Sequence, residues 1–404
     1  MYLSKRGMAK LSVFLIFLLQ SLLTPSLFTR IGPSWGTYVA YATSVALILF
    51  VIFLSKKINT DRKLLAFVIG AWAFSVFLLL QSYLAEEGVK LSVIYSSLFI
   101  LTSGISVLVL SGELWKTALK AIIYPVLAFC ASGIVTGMLI LAGFSLEALE
   151  VARWTGGFEG RTYIMYAPFS TGLQFTPHII DLQLARLIGH MREPGILSLL
   201  IVFSFFGVEY FKWKHEWFAK TILFVGLLLT YSTAGMVAFV GSILYKYTVF
   251  NSLKIEISIN NFKKVFVSIG IAFVSWLFIF SDTRFALMSK LEQGSGQSRT
   301  HDFMQTVDIL GNAPIFGVGF PNEAVSGVAF VAAAGQVGIA GSILFLTILL
   351  FPVLYYMYYR DLRAAILLPI LVGALFAQPL FDKSITYLTI GLMLALPRLT
   401  SNPK

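Results

Sequence analysis

Long stretches of this chain contain no Asp, Glu, Lys or Arg: residues 11–29, 35–55, 64–85, 91–112, 121–145, 196–208, 221–245, 265–281, 324–359, 364–381 and 384–397. A helix needs roughly 20 mainly apolar residues to cross a bilayer, and most of these stretches meet that length. Only 12% of the chain is charged, against about 25% in a typical soluble domain. The chain therefore reads as all-α: a polytopic integral membrane protein with about 12 transmembrane helices, forming a single membrane domain over residues 1–404.

Positive charge sets the expected orientation. With the N-terminus in the cytoplasm, 15 Lys and 5 Arg fall inside, and 3 Lys and 7 Arg fall outside, as the positive-inside rule requires. The net charge of +11 is then a topological device and gives no sign of nucleic-acid binding. Lys5, Arg6 and Lys10 precede an apolar run as in a signal peptide, but no small-x-small cleavage pattern follows, so an uncleaved first span is expected. Cys130 is the only cysteine and is expected as an apolar filler in mid-span.

Residues 221–245 form one run interrupted by Thr230-Tyr-Ser-Thr-Ala-Gly235. Both flanks are basic and favour the cytoplasm. Two short helices joined by a tight re-entrant turn are therefore expected, with the hydroxyls of Thr230, Ser232 and Thr233 serving the broken backbone. Counted as two, they place both termini in the cytoplasm. Two connections are long and fall outside: residues 147–195 and 282–323, both expected to be partly helical. Long structured loops usually carry function. The cations outside are mainly arginines, whose planar fork suits phosphate and carboxylate.

The first loop closes on Asp181-Leu-Gln-Leu-Ala-Arg-Leu-Ile-Gly-His-Met-Arg-Glu-Pro-Gly195. Leu184, Leu187, Ile188 and Met191 follow the spacing of an amphipathic helix. Arg186 and His190 then share the sector opposite that stripe. Pro194 suits the first position of the next span and disfavours helix at Glu193, which stands at that span's positive end. Two readings fit Arg186, His190, Arg192 and Glu193. One is an anion clamp with a proton acceptor, Glu193 first and His190 second. The other is an interfacial helix with snorkelling arginines and one Arg–Glu pair. Tyr163, Tyr166, Phe169 and Phe175 could stack on sugar rings, although aromatics are common at membrane interfaces.

The second loop holds a short helix over 298–311, with Ser298 as its N-cap, Phe303, Val307 and Leu310 as its apolar stripe, and Gly311 and Pro314 as its stop. Upstream, residues 293–298 read as a flexible gate. Downstream, Gly317 and Gly319 allow a tight turn; its N–H groups could face an anion, or it is an ordinary turn. Arg284, Arg299 and His301 are the polar residues to follow. There is no phosphate loop or dinucleotide fingerprint, and the four histidines do not fall at zinc spacings. No metal or other cofactor is expected.

The spacing Arg186-x-x-Gly189-x-x-x-Glu193-Pro194-Gly195 resembles the signature of bacterial polysaccharide polymerases. Arg299 followed by Pro314-Ile-Phe-Gly-Val-Gly-Phe320 resembles a block of the O-antigen polymerase (Wzy-type) and ligase superfamily. The Tyr-Ser-Thr-Ala-Gly segment at Tyr231 is similar to that superfamily's Ser-Arg-Gly turn, without its arginine. Ligases carry a His-Asn that has no counterpart over residues 323–338, which favours polymerase.

The resemblance implies an inner-membrane glycosyltransferase joining undecaprenyl-diphosphate-linked oligosaccharides into a polysaccharide, with membrane lipid and a chain-length regulator protein as further partners. It implies diphosphate contacts from Arg186, Arg192 and Arg299, with Arg284, His301, Gly317 and Gly319 as accessories. The alternatives are a ligase that transfers the glycan to a lipid core, and a transporter of a lipid-linked or ionic solute.

Overall fold

The structure is a computed structural model. It describes residues 4–22, 34–55, 58–84, 90–155, 162–173, 178–179, 182–183, 186–191, 193–250, 294–320, 329–377 and 380–397. In chain order the elements are α1 (Lys5–Ser21), α2 (Ser34–Ser55), α3 (Arg62–Leu84), α4 (Leu91–Leu108), α5 (Leu114–Leu141), strands β1 (Glu150–Thr155), β2 (Thr162–Tyr166), β3 (Ser170–Leu173), β4 (His178–Ile179), β5 (Leu182–Gln183) and β6 (Arg186–Leu187), then α6 (Pro194–Tyr210), α7 (Glu216–Leu229), α8 (Thr233–Tyr245), α9 (Gly294–Asn312), α10 (Ala329–Tyr358), α11 (Leu362–Val372) and α12 (Ser384–Ala395). Single π-helical turns extend α8 at Lys246–Phe250 and α11 at Gly373–Ala377.

Among the described residues, six helices are long and apolar enough to cross a membrane: Gly36–Ser55, Arg62–Leu84, Leu91–Leu108, Leu114–Leu141, Thr233–Phe250 and Ala333–Tyr358. Helix start signals are local. The Ser4 hydroxyl accepts the Gly7 N–H at 3.1 Å at the head of α1. Asp61 accepts the Lys63 N–H at 2.9 Å at the head of α3. Both caps satisfy a backbone donor that the helix cannot.

The chain divides into two compact units. The first comprises residues 1–68, 102–232 and 383–396. Here α1 packs on α2, α5 and α12, and α5 packs on α6 and α7. Cys130 is buried, as expected. A side chain on Gly226 would place its Cβ 2.4 Å from the Cys130 sulfur, so α5 and α7 approach at a distance that only glycine allows.

The first loop folds differently from expectation. It forms an antiparallel sheet in the order β1-β2-β3-β6, with β4 and β5 paired separately. Strands β1 and β2 are rich in β-branched and aromatic residues, which suit a pleated surface. Tyr163 and Ile188 pack against Trp154, and Leu149, Ile164 and Tyr166 pack against Leu139, Ile140 and Leu146. The β2–β3 turn is fastened to α5: Thr136 donates to the Ala167 carbonyl at 2.7 Å, and Ser132 accepts the Phe169 N–H at 3.1 Å.

The second unit comprises residues 69–101, 233–382 and 397–404. Its α11 packs on α8 and α10, and α9 packs on α10. The first part of α10 ends at Gly338, whose backbone (φ 67, ψ −172) leaves the helix. Residues 314–319 insert there. The N–H groups of Val318 and Gly319 donate to Gly335 and Gln336 at 3.0 and 3.1 Å, and those of Ile339 and Ala340 donate to Pro314 and Ile315 at 2.9 and 3.1 Å. At the turn into α11, Arg363 is buried on Asp361 at 2.6 Å, with its guanidinium 4.1 Å above the Tyr356 ring.

Candidate functional site

The motif Arg186 to Gly195 lies within the first unit. It is a strand followed by a turn and a helix head. Gly172 and Leu173 of β3 pair with Leu187 and Arg186 of β6, so the described residues within 181–192 form strand and turn in place of the expected amphipathic helix. Long-range pairing with β3 takes the backbone bonds that the helix would have used. The Ile188 N–H donates to Thr171 at 3.0 Å, and the Thr171 hydroxyl donates to the Gly189 carbonyl. Gly189 turns the chain with φ +57, and a Cβ there would press on Leu197 and Phe129 at 3.0 to 3.2 Å. Leu187, Ile188 and Met191 are buried all the same. The apolar residues were the right ones to bury; the element that buries them is a strand and turn.

Arg186 is half-buried, and its guanidinium reaches the end of α7. Its Nε donates to the Thr230 carbonyl and its Nη2 to the Tyr231 carbonyl, both at 3.2 Å. These carbonyls lie at the negative end of the α7 dipole, where a cation is favoured. The expected break between α7 and α8 is present. Tyr231 occupies left-handed backbone (φ 49), and the Thr230 hydroxyl, donating to Leu227 at 2.7 Å, serves the freed backbone.

Glu193 is extended (φ −144, ψ 143) and half-buried, and Pro194 takes the first position of α6, as its sequence indicated. Behind them Ser198 donates to the Gly195 carbonyl at 2.7 Å, and its Oγ lies 3.0 Å from that of Ser232. Arg186, the Glu-Pro-Gly head of α6 and the 230–232 turn are thus one cluster. Sequence spacing did not show that Arg186 grips that turn.

His190 does not stand beside Arg186 on an open face. It is buried, with its ring stacked on Phe129 at 5.5 Å. Burial disfavours the imidazolium and lowers its pKa to about 4, so the ring is neutral at pH 7 and has no open path to solvent. Tyr163 and Tyr166 are core residues of the sheet, 6% and 4% exposed, and offer no ring face to a sugar. Phe169 is exposed. A hollow of about 20 Å³ lies against β6 and α7, lined by Gly133, Thr136, Tyr166, Ser170, Leu187 and Leu229 among others. That is room for about one water, and it does not have the size of a diphosphate.

Arg192, Arg284 and Phe175 lie outside the described residues, as do the side chains of Arg299 and His301, whose backbone belongs to α9. The helix expected at 298–311 is present as α9 but starts at Gly294, so residues 294–298 are its first turn and not a free gate. Phe303 and Val307 are exposed, and Thr306 is buried. Gly317 and Gly319 have positive φ, 67 and 93. The N–H groups of residues 317–319 donate to Ala313, Gly335 and Gln336, so this turn holds α10 and offers no cradle to an anion. No protein-family model, curated protein or solved structure matches the chain.

Proposed function

We propose that this protein is a membrane glycosyltransferase. It extends a glycan carried on undecaprenyl diphosphate by transferring it to the terminal sugar of a new lipid-linked repeat unit, at the outer face of a bacterial inner membrane, with both termini in the cytoplasm and about 12 spans in all. The observation that carries this reading is the cluster formed by Arg186, the Glu193-Pro194-Gly195 helix head and the turn at Thr230–Ser232. Arginine and a carboxylate are expensive at a membrane, and here Arg186 binds the end of α7 while Glu193 stands at the head of α6.

In the reaction, an acceptor hydroxyl oxygen attacks the anomeric carbon of the donor sugar. The bond from that carbon to the diphosphate oxygen breaks, and the lipid diphosphate leaves with the bonding electrons. The acceptor proton passes to Glu193. General-base help of this kind is worth roughly 10²–10⁴-fold. Arg186 holds the turn and adds fixed positive charge beside the developing anion; Arg192, Arg299 and Arg284 are the diphosphate contacts proposed from the sequence.

Glu193→Ala and Arg192→Ala should each leave single repeats and abolish long chains, read from the glycan ladder of cells carrying the variant. Normal chain length in both would overturn the assignment. A transporter is the second reading, favoured by the broken helix α10, since transporters bind solutes at discontinuous helices. Purified protein that lengthens chains in detergent from two lipid-linked repeats, with no second compartment, is a transferase and not a transporter.

A further inference from the structure

The turn at Gly317 and Gly319, for which the sequence allowed either an anion cradle or an ordinary turn, has all three of its N–H groups bonded within the protein. It joins α9 to the break in α10. Residues 314–319 and 335–340 exchange four backbone hydrogen bonds. The fit is glycine against glycine: a Cβ on Gly317 would lie 2.5 Å from the Gly335 carbonyl oxygen, and one on Gly338 would strike the Ile315 carbonyl.

A third element closes the joint. Gln81, on α3 and 5% exposed, donates its amide Nε2 to the carbonyls of Phe316 and Gln336, the latter at 2.6 Å. One side chain thus bridges the inserted segment and the broken helix. Among the described residues its Oε1 accepts no hydrogen bond. A buried polar atom in that state is costly, so the amide is held in this orientation by its two donations. Phe77, one turn earlier on α3, stacks on Phe316 at 6.2 Å and lies against Gly341. Nearby Phe74, Phe345, Phe320 and Phe381 form a continuous ring cluster. Bonds to carbonyls in such apolar surroundings are stronger than at a surface.

We propose that Gln81 is the latch of this joint, and that the joint fixes α9 in place against α10. Resting on the transferase reading, its consequence is that Gln81 is a positioning residue for Arg299, which α9 carries one helix length from the joint.

The test is a pair of spin labels at Asp308→Cys on α9 and Ile343→Cys on α10, both exposed positions, with the distance between them measured in the full chain. A narrow distribution is expected with Gln81 intact. Gln81→Leu should broaden it at least twofold. Val318→Pro, which removes a single N–H from the joint without touching α3, should broaden it too and serves if the first variant does not fold. An unchanged narrow distribution in a monodisperse variant overturns the latch. The glycan ladder of the same strains separates the two claims. If the unmodified protein builds no chains, the transferase reading fails and the distances still decide the latch. If it builds chains and a broadened variant builds them to full length, the positioning role is refuted.

Discussion

At the scale of single residues, three side chains change meaning once folded. His190, a candidate base in the sequence, is a buried neutral ring. Its pKa falls from the ordinary value near 6.5 to about 4 because burial opposes the charged form. The unfolded chain then binds the proton more readily than the folded one. This part of the stability is complete above about pH 6.5 and is lost as pH falls toward 4, a change on the order of 3 kcal/mol. His190→Phe should flatten that slope in thermal unfolding between pH 7 and 4.5; an unchanged slope would show that another group sets it. Arg363 was readable only as an inside charge, yet it is buried on Asp361 and Tyr356; the pair at i, i+2 across a helix start was the available signal. Arg186 stood out in the sequence as a candidate site residue, while its hold on the Thr230 and Tyr231 carbonyls did not, because 44 residues separate the partners of the first bond.

At the scale of elements, apolar runs were good guides and amphipathic spacing was not. The long helices follow from length and charge-free composition, and the break at Thr230–Ser232 follows from hydroxyls in the middle of a run. The sheet in the first loop was missed, although Thr162-Tyr-Ile-Met-Tyr166 is a β-rich run and a glycine-rich stretch at residues 156–160 separates it from Glu150–Thr155. Leu184, Leu187, Ile188 and Met191 matched a helix by spacing, but pairing to β3 decided the outcome. The break at Gly338 was also missed, although glycines at 335, 338 and 341 crowd that run. Helix contacts yield a prediction of their own. Gly226→Ala would force a methyl group against the Cys130 sulfur and Cβ, at 2.4 and 2.7 Å. Overpacking of this kind costs about 1–3 kcal/mol, so the variant should unfold at a lower temperature in detergent, and Cys130→Gly in the same chain should restore part of the loss. Equal stability of Gly226→Ala and the parent would show that α5 and α7 separate freely.

At the scale of the whole molecule, a membrane-embedded chain was legible from composition, and the orientation remains a proposal that rests on lysine and arginine placement. It predicts that a reporter fused after Lys404 is active only in the cytoplasm. It also predicts that a cysteine at exposed Phe169 reacts from outside with a reagent that cannot cross the membrane. A cytoplasmic label at Phe169 would invert the scheme. One dimension bears on the lipid itself. Helix α7 has 14 residues, about 21 Å at 1.5 Å each, which is short of the ~30 Å hydrocarbon layer. In the proposed orientation, the guanidinium bound at its far end lies below the level of the headgroups, and the membrane should dimple at Arg186 as headgroups or water reach toward it.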